Sequence, residues 1–308
     1  MIRNHAVAMN PIDVKLQKFE IYPLSYPTVL GEDVAGEVIS IGSKVTRFQP
    51  GDRVTGMTAG FVTKKTTEMA FQQYVILEEN LTSEIPDHIT YEQAAVLPLG
   101  FTTASAGLFN PDLLSLRLPT EPAHAPTSEI VLVWGGASSV GGTAIQLLIA
   151  AGYEVFTTAS AKNFDVVKKL GASQVFDYNK SDVVEEVVKA LQNKTLTGTF
   201  DAIGGAAVWE PCIKIIQQSH GNKTLVTTNR QFTEPPADVT IKFCFAVSIR
   251  DNNVGEAVWR DFLPKALVAG TLVPYPEPLI AGEGLDSIQT GIDVLAKGVS
   301  AQKVVVKL

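Results

Sequence analysis

Short apolar runs alternate with longer segments of helical length along residues 129–227. Runs of four to six apolar residues bounded by glycine or polar turns are typical of buried strands. Strands that alternate with helices in this way are typical of a parallel sheet covered by helices on both faces. The predicted strands are 130–134, 154–158, 174–177, 199–203 and 223–227, and the predicted helices between them are 140–151, 164–170, 182–192 and 207–217.

The chain before this region has a different pattern, in which short strands and turns replace the helices. Residues 36–42 and 71–77 are predicted strands, and Pro50-Gly51-Asp52 is a turn signal. Proline presets φ for a turn, and Gly and Asp tolerate the backbone angles that follow it. Asn110–Ser128 contains four prolines, which predicts an irregular connection.

The end of the chain resembles its beginning. After a predicted helix over 256–269, residues 270–274 and 303–307 again have a strand-like pattern. A chain of 308 residues is long enough for two cores. We therefore predict a mainly β domain made of residues 1–105 and 270–308, and a doubly wound α/β domain made of residues 106–269.

A glycine-rich turn follows the first strand of the α/β region. The next helix begins at once and stops at Gly152. At such a turn, small residues let the backbone approach a pyrophosphate, and the free N–H groups of the helix start point towards it. An ordinary tight turn is the alternative. The predicted cofactor-binding residues are Gly135, Gly136, Ala137, Ser138, Ser139, Val140 and Gly141.

The end of the second strand indicates which dinucleotide binds. An NAD-binding unit usually has an Asp or Glu about 20 residues beyond the glycines, where it holds the ribose 2′-hydroxyl. Here Ser160-Ala161-Lys162-Asn163 contains no acid. A carboxylate would repel a 2′-phosphate, whereas Lys162 would attract it, so Ser160, Lys162 and Asn163 are predicted to bind NADPH. Alternatively, Ser160 and Asn163 only cap the next helix and Lys162 is a solvated surface residue.

Composition excludes several classes of function. The chain is 45% hydrophobic and 19% charged, which predicts a compact soluble protein. Its net charge of −7 and its lack of a Lys/Arg cluster argue against nucleic-acid binding. No apolar run is long enough for a membrane span, and no signal peptide opens the sequence. Cys212 and Cys244 form no C-x-x-C pair, so a reducing compartment, the cytoplasm, is expected.

Distinctive motifs occur along the whole chain: Asn10–Lys15, Leu30–Gly36, Phe48–Val54, Ala94–Gly100, the glycine turn and Gly298–Lys303. Together they resemble the medium-chain dehydrogenase/reductase superfamily, in its zinc-free quinone-oxidoreductase-like branch. The turn Trp-Gly-Gly-Ala-Ser-Ser-Val-Gly and the segment after Ser160 look most like fungal trans-acting enoyl reductases and dehydrogenase-like proteins of toxin clusters. The resemblance implies a Rossmann domain and a GroES-like substrate domain. Ser138 replaces the family's middle glycine, which requires ordinary backbone angles at that position.

The resemblance also bears on zinc. Zinc-dependent members have a Cys at the place of Asn10 and a His at the place of Glu32, and their four-cysteine lobe is absent from this sequence. Because neither a thiolate nor an imidazole is available at these places, no metal is expected. Glu32 and Asp33 are interpreted as buried, hydrogen-bonded carboxylates.

Without zinc, reduction of an activated carbon–carbon double bond, in an enone or enoyl thioester, is the expected reaction. Negative charge develops on the substrate's carbonyl oxygen, which requires hydrogen-bond donors, and a proton must then reach the α-carbon. Lys15, in the Asn-Pro-x-Asp-x-Lys motif, resembles the family's active-site segment and is the first candidate donor. Thr102 and Thr103 are candidate hydroxyls of the cofactor and substrate cleft. The alternatives are a surface lysine on a turn and threonines that cap a helix.

Other site residues, apart from the Phe243–Phe245 pair, are implied only by the resemblance. Tyr178 is expected beside the adenosine 2′-phosphate, with a half-exposed tyrosine at a strand end as the alternative. Phe243 and Phe245, predicted on one strand, are expected to face the substrate, with a core position or a dimer edge as the alternative. The remaining residues expected at the cofactor are Asn10, Leu225, Val226, Val299 and Ser300.

Three functions stay open at this point. The first is an NADPH-dependent enoyl reductase of fungal secondary metabolism, a monomer or homodimer, with a polyketide synthase carrier domain as a candidate partner. The second is a quinone reductase. The third is a shortened cofactor-binding pseudoenzyme, because Asn10 lies much nearer the chain start than in family members. Loss of the first strands would leave an unpaired sheet edge and a more open pocket.

Overall fold

The computed structural model describes residues 1–22, 24–232 and 234–308. They form two compact units, one made of Met1–Leu99 with Gly255–Leu308 and the other of Gly100–Val254. The domain boundaries predicted from the sequence were residues 105 and 269. The observed units divide after Leu99 and after Val254 instead, which places residues 255–269 in the first unit. In the described part of the chain, no helix has the length and apolar character needed to cross a membrane.

The strands, in chain order, are β1 (Ile2–Ala8), β2 (Asp33–Val38), β3 (Arg53–Met57), β4 (Tyr74–Val75), β5 (Thr82–Glu84), β6 (Glu129–Trp134), β7 (Glu154–Ala159), β8 (Gln174–Asp177), β9 (Thr195–Asp201), β10 (Thr224–Thr227), β11 (Thr240–Phe243), β12 (Glu277–Glu283) and β13 (Gln302–Lys307). The α-helices are α1 (Pro11–Phe19), α2 (Gly60–Thr63), α3 (Tyr91–Ala95), α4 (Pro98–Phe109), α5 (Ser139–Ala150), α6 (Phe164–Lys169), α7 (Val183–Ala190), α8 (Ala206–Gln218), α9 (Asn253–Gly255), α10 (Leu263–Ala269) and α11 (Ile288–Ala296). Short 3-10 helices lie at Thr66–Glu68, Glu79–Leu81, Ala161–Asn163, Ala246–Ile249 and Leu285–Ser287.

The second unit contains a parallel sheet with the strand order β11-β10-β9-β6-β7-β8. This is the doubly wound order, and it confirms the predicted α/β fold class. The chain leaves β6 in one direction, through β7 and β8, and returns to the other side of β6 with β9. Ligands of such sheets bind outside the carboxyl ends of the strands, at the point where the order reverses. That point lies between β6 and β9.

The first unit contains a mixed sheet with the order β12-β13-β1-β2-β3-β5, and β4 also pairs with β1. β12 and β13 are parallel and are joined through α11, since a parallel pair requires a crossover connection. The other pairs are antiparallel. β1 therefore has partners on both sides. In the described residues, β12, β5 and the short β4 each have a single partner and form the edges of this sheet.

The predicted strand 71–77 was too long, because only β4 forms there. The amide of Asn4 donates to the carbonyl oxygens of Ala70 and Gln72, at 3.0 and 2.8 Å. The Asn4 side chain thus makes the hydrogen bonds to these carbonyl groups that a neighbouring strand would make if the segment were a longer strand. The predicted strand 36–42 ends at Val38 and starts earlier, at Asp33.

The segment from 256 to 274 also differs from its prediction. A helix forms there as predicted, but residues Glu256–Phe262 are a π-helix and only α10 is α-helical. Gly270 ends α10 in the left-handed region, at φ +69°, where glycine is favoured. Residues 270–274 then form no strand.

Candidate cofactor and substrate sites

The glycine turn after β6 is anchored to the neighbouring strand β7. The N–H of Gly136 donates to the carbonyl of Thr158 at 2.9 Å, and the N–H of Gly135 donates to the Thr158 hydroxyl at 3.0 Å. A Cβ at Gly141 would overlap the carbonyl oxygen of Gly135, and one at Gly135 would overlap the side chain of Ile203. Glycine is therefore required where the turn and the helix approach each other.

The start of α5 forms an anion cradle. Ser138 is its N-cap, with the ordinary backbone angles φ −77° and ψ 165°. A serine can therefore replace the glycine that the family has at this position. The Ser138 hydroxyl donates to the Gly135 carbonyl at 2.8 Å and accepts the N–H of Gly141 at 3.0 Å. Among the described residues, the N–H groups of Ser139 and Val140 meet no acceptor. Free N–H groups at the start of a twelve-residue helix fit the pyrophosphate of a dinucleotide.

The segment after β7 is polar and open. Ser160 and Asn163 occupy N-cap positions, but neither side chain makes a capping hydrogen bond. The Asn163 amide instead donates to the Ser160 hydroxyl at 3.3 Å. Lys162 is exposed, and Tyr178, directly after β8, is 46% exposed. Because β6, β7 and β8 are parallel neighbours, these residues and the glycine turn lie at one edge of the sheet.

Other predicted residues of the second unit are less accessible. Leu225 and Val226 are fully buried within β10, which pairs with β9 on one side and β11 on the other. Thr102 and Thr103 are buried inside α4, beyond its first turn. They are not N-caps, so that alternative was wrong.

Phe243 and Phe245 form a half-buried aromatic pair. Only Phe243 belongs to β11, so the two residues do not alternate along one strand as predicted. Their ring centroids lie 6.5 Å apart, and the guanidinium of Arg230 lies 4.8 Å from the ring centre of Phe243 and 6.0 Å from that of Phe245. The sequence analysis missed Arg230, which gave no local signal. The two rings and the Arg230 guanidinium together form a surface with both apolar and cationic groups, on the segments that follow β10 and β11.

Asp201, at the end of β9, is a second residue that the sequence analysis missed. Its buried carboxylate accepts the N–H groups of Ile203 and Gly204 at 2.8 and 2.9 Å, and the Thr227 hydroxyl at 2.8 Å. Burial raises the pKa of Asp201, and these hydrogen bonds oppose the rise. Asp201 thereby fixes the loop that carries Ile203 against the glycine turn. An acid directly before Ala-Ile-Gly-Gly at a strand end was the available signal.

In the first unit, Asn10 precedes α1 and Lys15 lies on it. The N–H of Asn10 donates to the Asp13 carboxylate at 2.8 Å, which fixes the start of the helix. Lys15 is exposed and helical rather than on a turn. Val299 is half-buried and Ser300 is exposed.

Asp33 is the centre of a buried polar network around the start of α1. The Lys303 ammonium lies 2.8 Å from its carboxylate, the Asn10 amide donates to it at 2.9 Å, and the Leu99 N–H donates at 2.7 Å. Lys303 also donates to the Asn10 amide oxygen at 2.6 Å. The network joins segments that are almost the whole chain apart, and the sequence analysis did not predict it.

Two further acids lie in the same buried region. Burial raises the pKa of Asp13 to about 7, and Asp33 adds to the rise while the Asn10 N–H and Lys303 oppose it. Burial also raises the pKa of Glu32 to about 8, with Asp13 and Asp33 adding to the rise and Lys303 opposing it.

The prediction that Glu32 and Asp33 are buried, hydrogen-bonded carboxylates is correct for Asp33 only. Glu32 is buried, but among residues 1–22, 24–232 and 234–308 its carboxyl group has no hydrogen-bond partner. Its neighbours Asn10 and Asp33 bond to each other and to Lys303, which leaves Glu32 at the margin of the network. In the same described residues, no group of three or more His, Cys, Asp or Glu side chains is placed to hold a metal ion.

Comparison with known proteins identifies the family. Residues 1–87 match the family model described as alcohol dehydrogenase GroES-like domain, and residues 139–266 match the one described as zinc-binding dehydrogenase. The chain is 49% identical to the zinc-binding alcohol dehydrogenase domain-containing protein cipB of Emericella nidulans, over 100% of this chain and 89% of cipB. It is 40% identical to the trans-enoyl reductase himH of Aspergillus japonicus, over 98% of this chain and 87% of himH.

A further relative is lovC of Aspergillus terreus, the enoyl reductase component of lovastatin nonaketide synthase, at 31% identity over 100% of this chain and 88% of lovC. Among solved structures, the CurK enoyl reductase matches with a TM-score of 0.74 at 21% identity, over 99% of this chain and 90% of that one. The similarity to CurK concerns the fold alone. On these sequence matches, the chain belongs to the medium-chain dehydrogenase/reductase superfamily, with relatives named as fungal trans-enoyl reductases and dehydrogenases.

Proposed function

We propose that this chain is an NADPH-dependent, zinc-independent reductase of an activated carbon–carbon double bond, in an enoyl thioester or enone. The anion cradle at the start of α5 is the observation that carries the proposal, because it fits the pyrophosphate of a nicotinamide dinucleotide. The names of himH and lovC favour enoyl reduction over the other activities of the superfamily. A role in fungal secondary metabolism, a cytoplasmic location and a polyketide synthase carrier domain as partner are parts of the same proposal.

The choice of NADPH rests on the segment after β7. Ser160 and Asn163 offer a hydroxyl and an amide, Lys162 offers an exposed cation, and none of the residues from 159 to 164 is acidic. A 2′-phosphate would meet charge-assisted hydrogen bonds there instead of repulsion. Tyr178 extends the same edge of the sheet.

Zinc independence is supported by the first unit. The Asn10 amide oxygen already accepts from Lys303 at 2.6 Å, and its nitrogen already donates to Asp33. A dication at this place would displace both bonds and meet the Lys303 ammonium. Asn10 and Glu32 also supply only oxygen and amide groups, whereas zinc sites of this kind use sulfur and nitrogen.

The reaction assigns roles to the predicted residues. Bound reduced nicotinamide supplies a hydride to the β-carbon, the carbonyl oxygen takes up the negative charge, and a proton from the site or solvent completes the α-carbon. Lys15 donates to the carbonyl oxygen. Thr102, Thr103 and the Phe243–Phe245 pair contribute to the cofactor and substrate surroundings. Leu225, Val226, Val299 and Ser300 are assigned to the nicotinamide half.

A fluorescence titration with NADPH and NADH, followed by addition of enones, quinones and enoyl thioesters, tests the proposal. We expect the protein to bind NADPH selectively and to consume it when an enone or enoyl thioester is added. The rate of NADPH consumption should be unchanged after the protein is dialysed against a metal chelator. Binding without consumption would instead favour a cofactor-binding pseudoenzyme. Consumption with quinones alone would make the chain a quinone reductase, and loss of activity with the chelator would refute zinc independence.

A further inference from the structure

Glu32 lies at the same edge of its sheet as the start of α1. Ala8, the last residue of β1, is paired with Asp33, the first residue of β2. The chain therefore leaves β1 towards Asn10 and α1 at the place where Glu32 enters β2. The Asn10 amide bonded to Asp33 ties the two segments together. Glu32 thus belongs to the surroundings of the helix that carries Lys15.

The charges of this region do not permit three carboxylate anions. Lys303 is the cation that contacts the network, and it lies directly on Asp33, at 2.8 Å. Asp13 and Glu32 would each add an unpaired buried negative charge, which is costly in a medium of low dielectric constant. The raised pKa values of Asp13 and Glu32 follow from this arrangement. At neutral pH the Glu32 carboxyl group is therefore mostly the neutral acid.

A neutral acid needs an acceptor for its O–H, and Glu32 has none within the described residues. Two other buried acids of the first unit differ from Glu32: Glu68 accepts from the Thr63 hydroxyl and the Lys65 ammonium. Asp13 accepts the Asn10 N–H at one oxygen, and its other oxygen, Oδ1, is unpaired but fully enclosed. Glu32 is 7% exposed, so a group from outside the protein can reach it.

We propose that the neutral Glu32 carboxyl group donates a hydrogen bond to the carbonyl oxygen of the substrate. This inference rests on the proposed function. The carbonyl oxygen gains negative charge when hydride reaches the β-carbon, so the bond strengthens in the transition state. A carboxylic acid held neutral by an apolar site is an effective donor of this kind. Ionised Glu32 would repel the same oxygen, and the proton stays on Glu32 throughout.

The test compares Glu32→Gln, which still donates but cannot ionise, with Glu32→Leu, which does neither. Glu68→Gln is the matched control, because Glu68 is a buried acid of the same unit with partners of its own. The kcat with NADPH and a crotonyl thioester is measured from pH 6 to pH 10. Wild type and Glu68→Gln are expected to lose activity as pH rises through about 8, because the acid form is the active one.

Glu32→Gln is expected to keep kcat within about tenfold of wild type and to lose the alkaline decline. Glu32→Leu is expected to lower kcat about 10²–10³-fold, the usual effect of removing one oxyanion donor, with little change in KM. Infrared spectra of a ¹³C-carbonyl crotonyl thioester, bound with NADP⁺, give a second readout. The carbonyl band of the wild-type complex should lie at lower wavenumber than that of Glu32→Leu.

Thermal unfolding separates this role from a structural one. Replacing an unpaired neutral acid with Leu should not lower the melting temperature, whereas a structural role predicts a lower temperature together with the loss of activity. An active wild type with unchanged kcat and carbonyl band in Glu32→Leu would overturn the role of Glu32 alone. A wild type that reduces no enone or enoyl thioester would refute the proposed function, and this role with it.

Discussion

The Lys303–Asp33 ion pair should be a large single contribution to the stability of the first unit. The side chains of Lys303 and Asp33 are 6% and 0% exposed, so neither charge is screened by water. Lys303→Met keeps the length of the side chain and removes its charge, which leaves Asp33 as an unpaired buried carboxylate. Removing one partner of a buried pair costs about 3–5 kcal/mol.

The structure places this substitution at the lower end of that range. Asp33 would keep two hydrogen bonds, from the Leu99 N–H at 2.7 Å and the Asn10 amide at 2.9 Å. We therefore expect Lys303→Met to lower the free energy of unfolding by about 3 kcal/mol. The double variant Lys303→Met/Asp33→Asn should lose less than the sum of the two single variants, because no unpaired charge remains.

Urea unfolding followed by circular dichroism measures these differences. Lys180→Met is the control, because Lys180 forms an exposed ion pair with Glu186 at 2.7 Å and such pairs contribute little. No measurable change is expected for it. A loss for Lys303→Met as small as that of the control, or strict additivity in the double variant, would refute the reasoning from burial.

Three further predictions concern the proposed cofactor and substrate sites. Gly141→Val should abolish NADPH binding while the second unit still folds, since a Cβ there meets the Gly135 backbone; retained affinity in a fluorescence titration would contradict the assignment of the turn. Lys162→Ala should weaken NADPH at least tenfold more than NADH, and an equal loss for both nucleotides would remove the 2′-phosphate assignment. Lys15→Ala should lower kcat and leave the Kd for NADPH nearly unchanged, whereas normal turnover would make Lys15 an ordinary surface residue.

Much of the fold could be predicted because its signals are local. The apolar runs and the glycine turn predicted the strands and helices between 129 and 227 with ends shifted by a few residues. One prediction failed because a distant group decided the outcome. Residues 71–77 pair only over Tyr74–Val75, because the Asn4 side chain takes up nearby carbonyl groups.

The candidate sites divide in the same way. The sequence determined the cradle at α5 and the polar segment at Ser160–Asn163, because each is a short stretch whose chemistry follows from its own residues and from the strand before it. Only the tertiary structure decided that Asn10, Asp33 and Lys303 form one buried network and that Glu32 stays without a partner beside it. Burial and pairing of charges depend on which distant strands lie next to each other, and β13 reaches β1 from the opposite end of the chain.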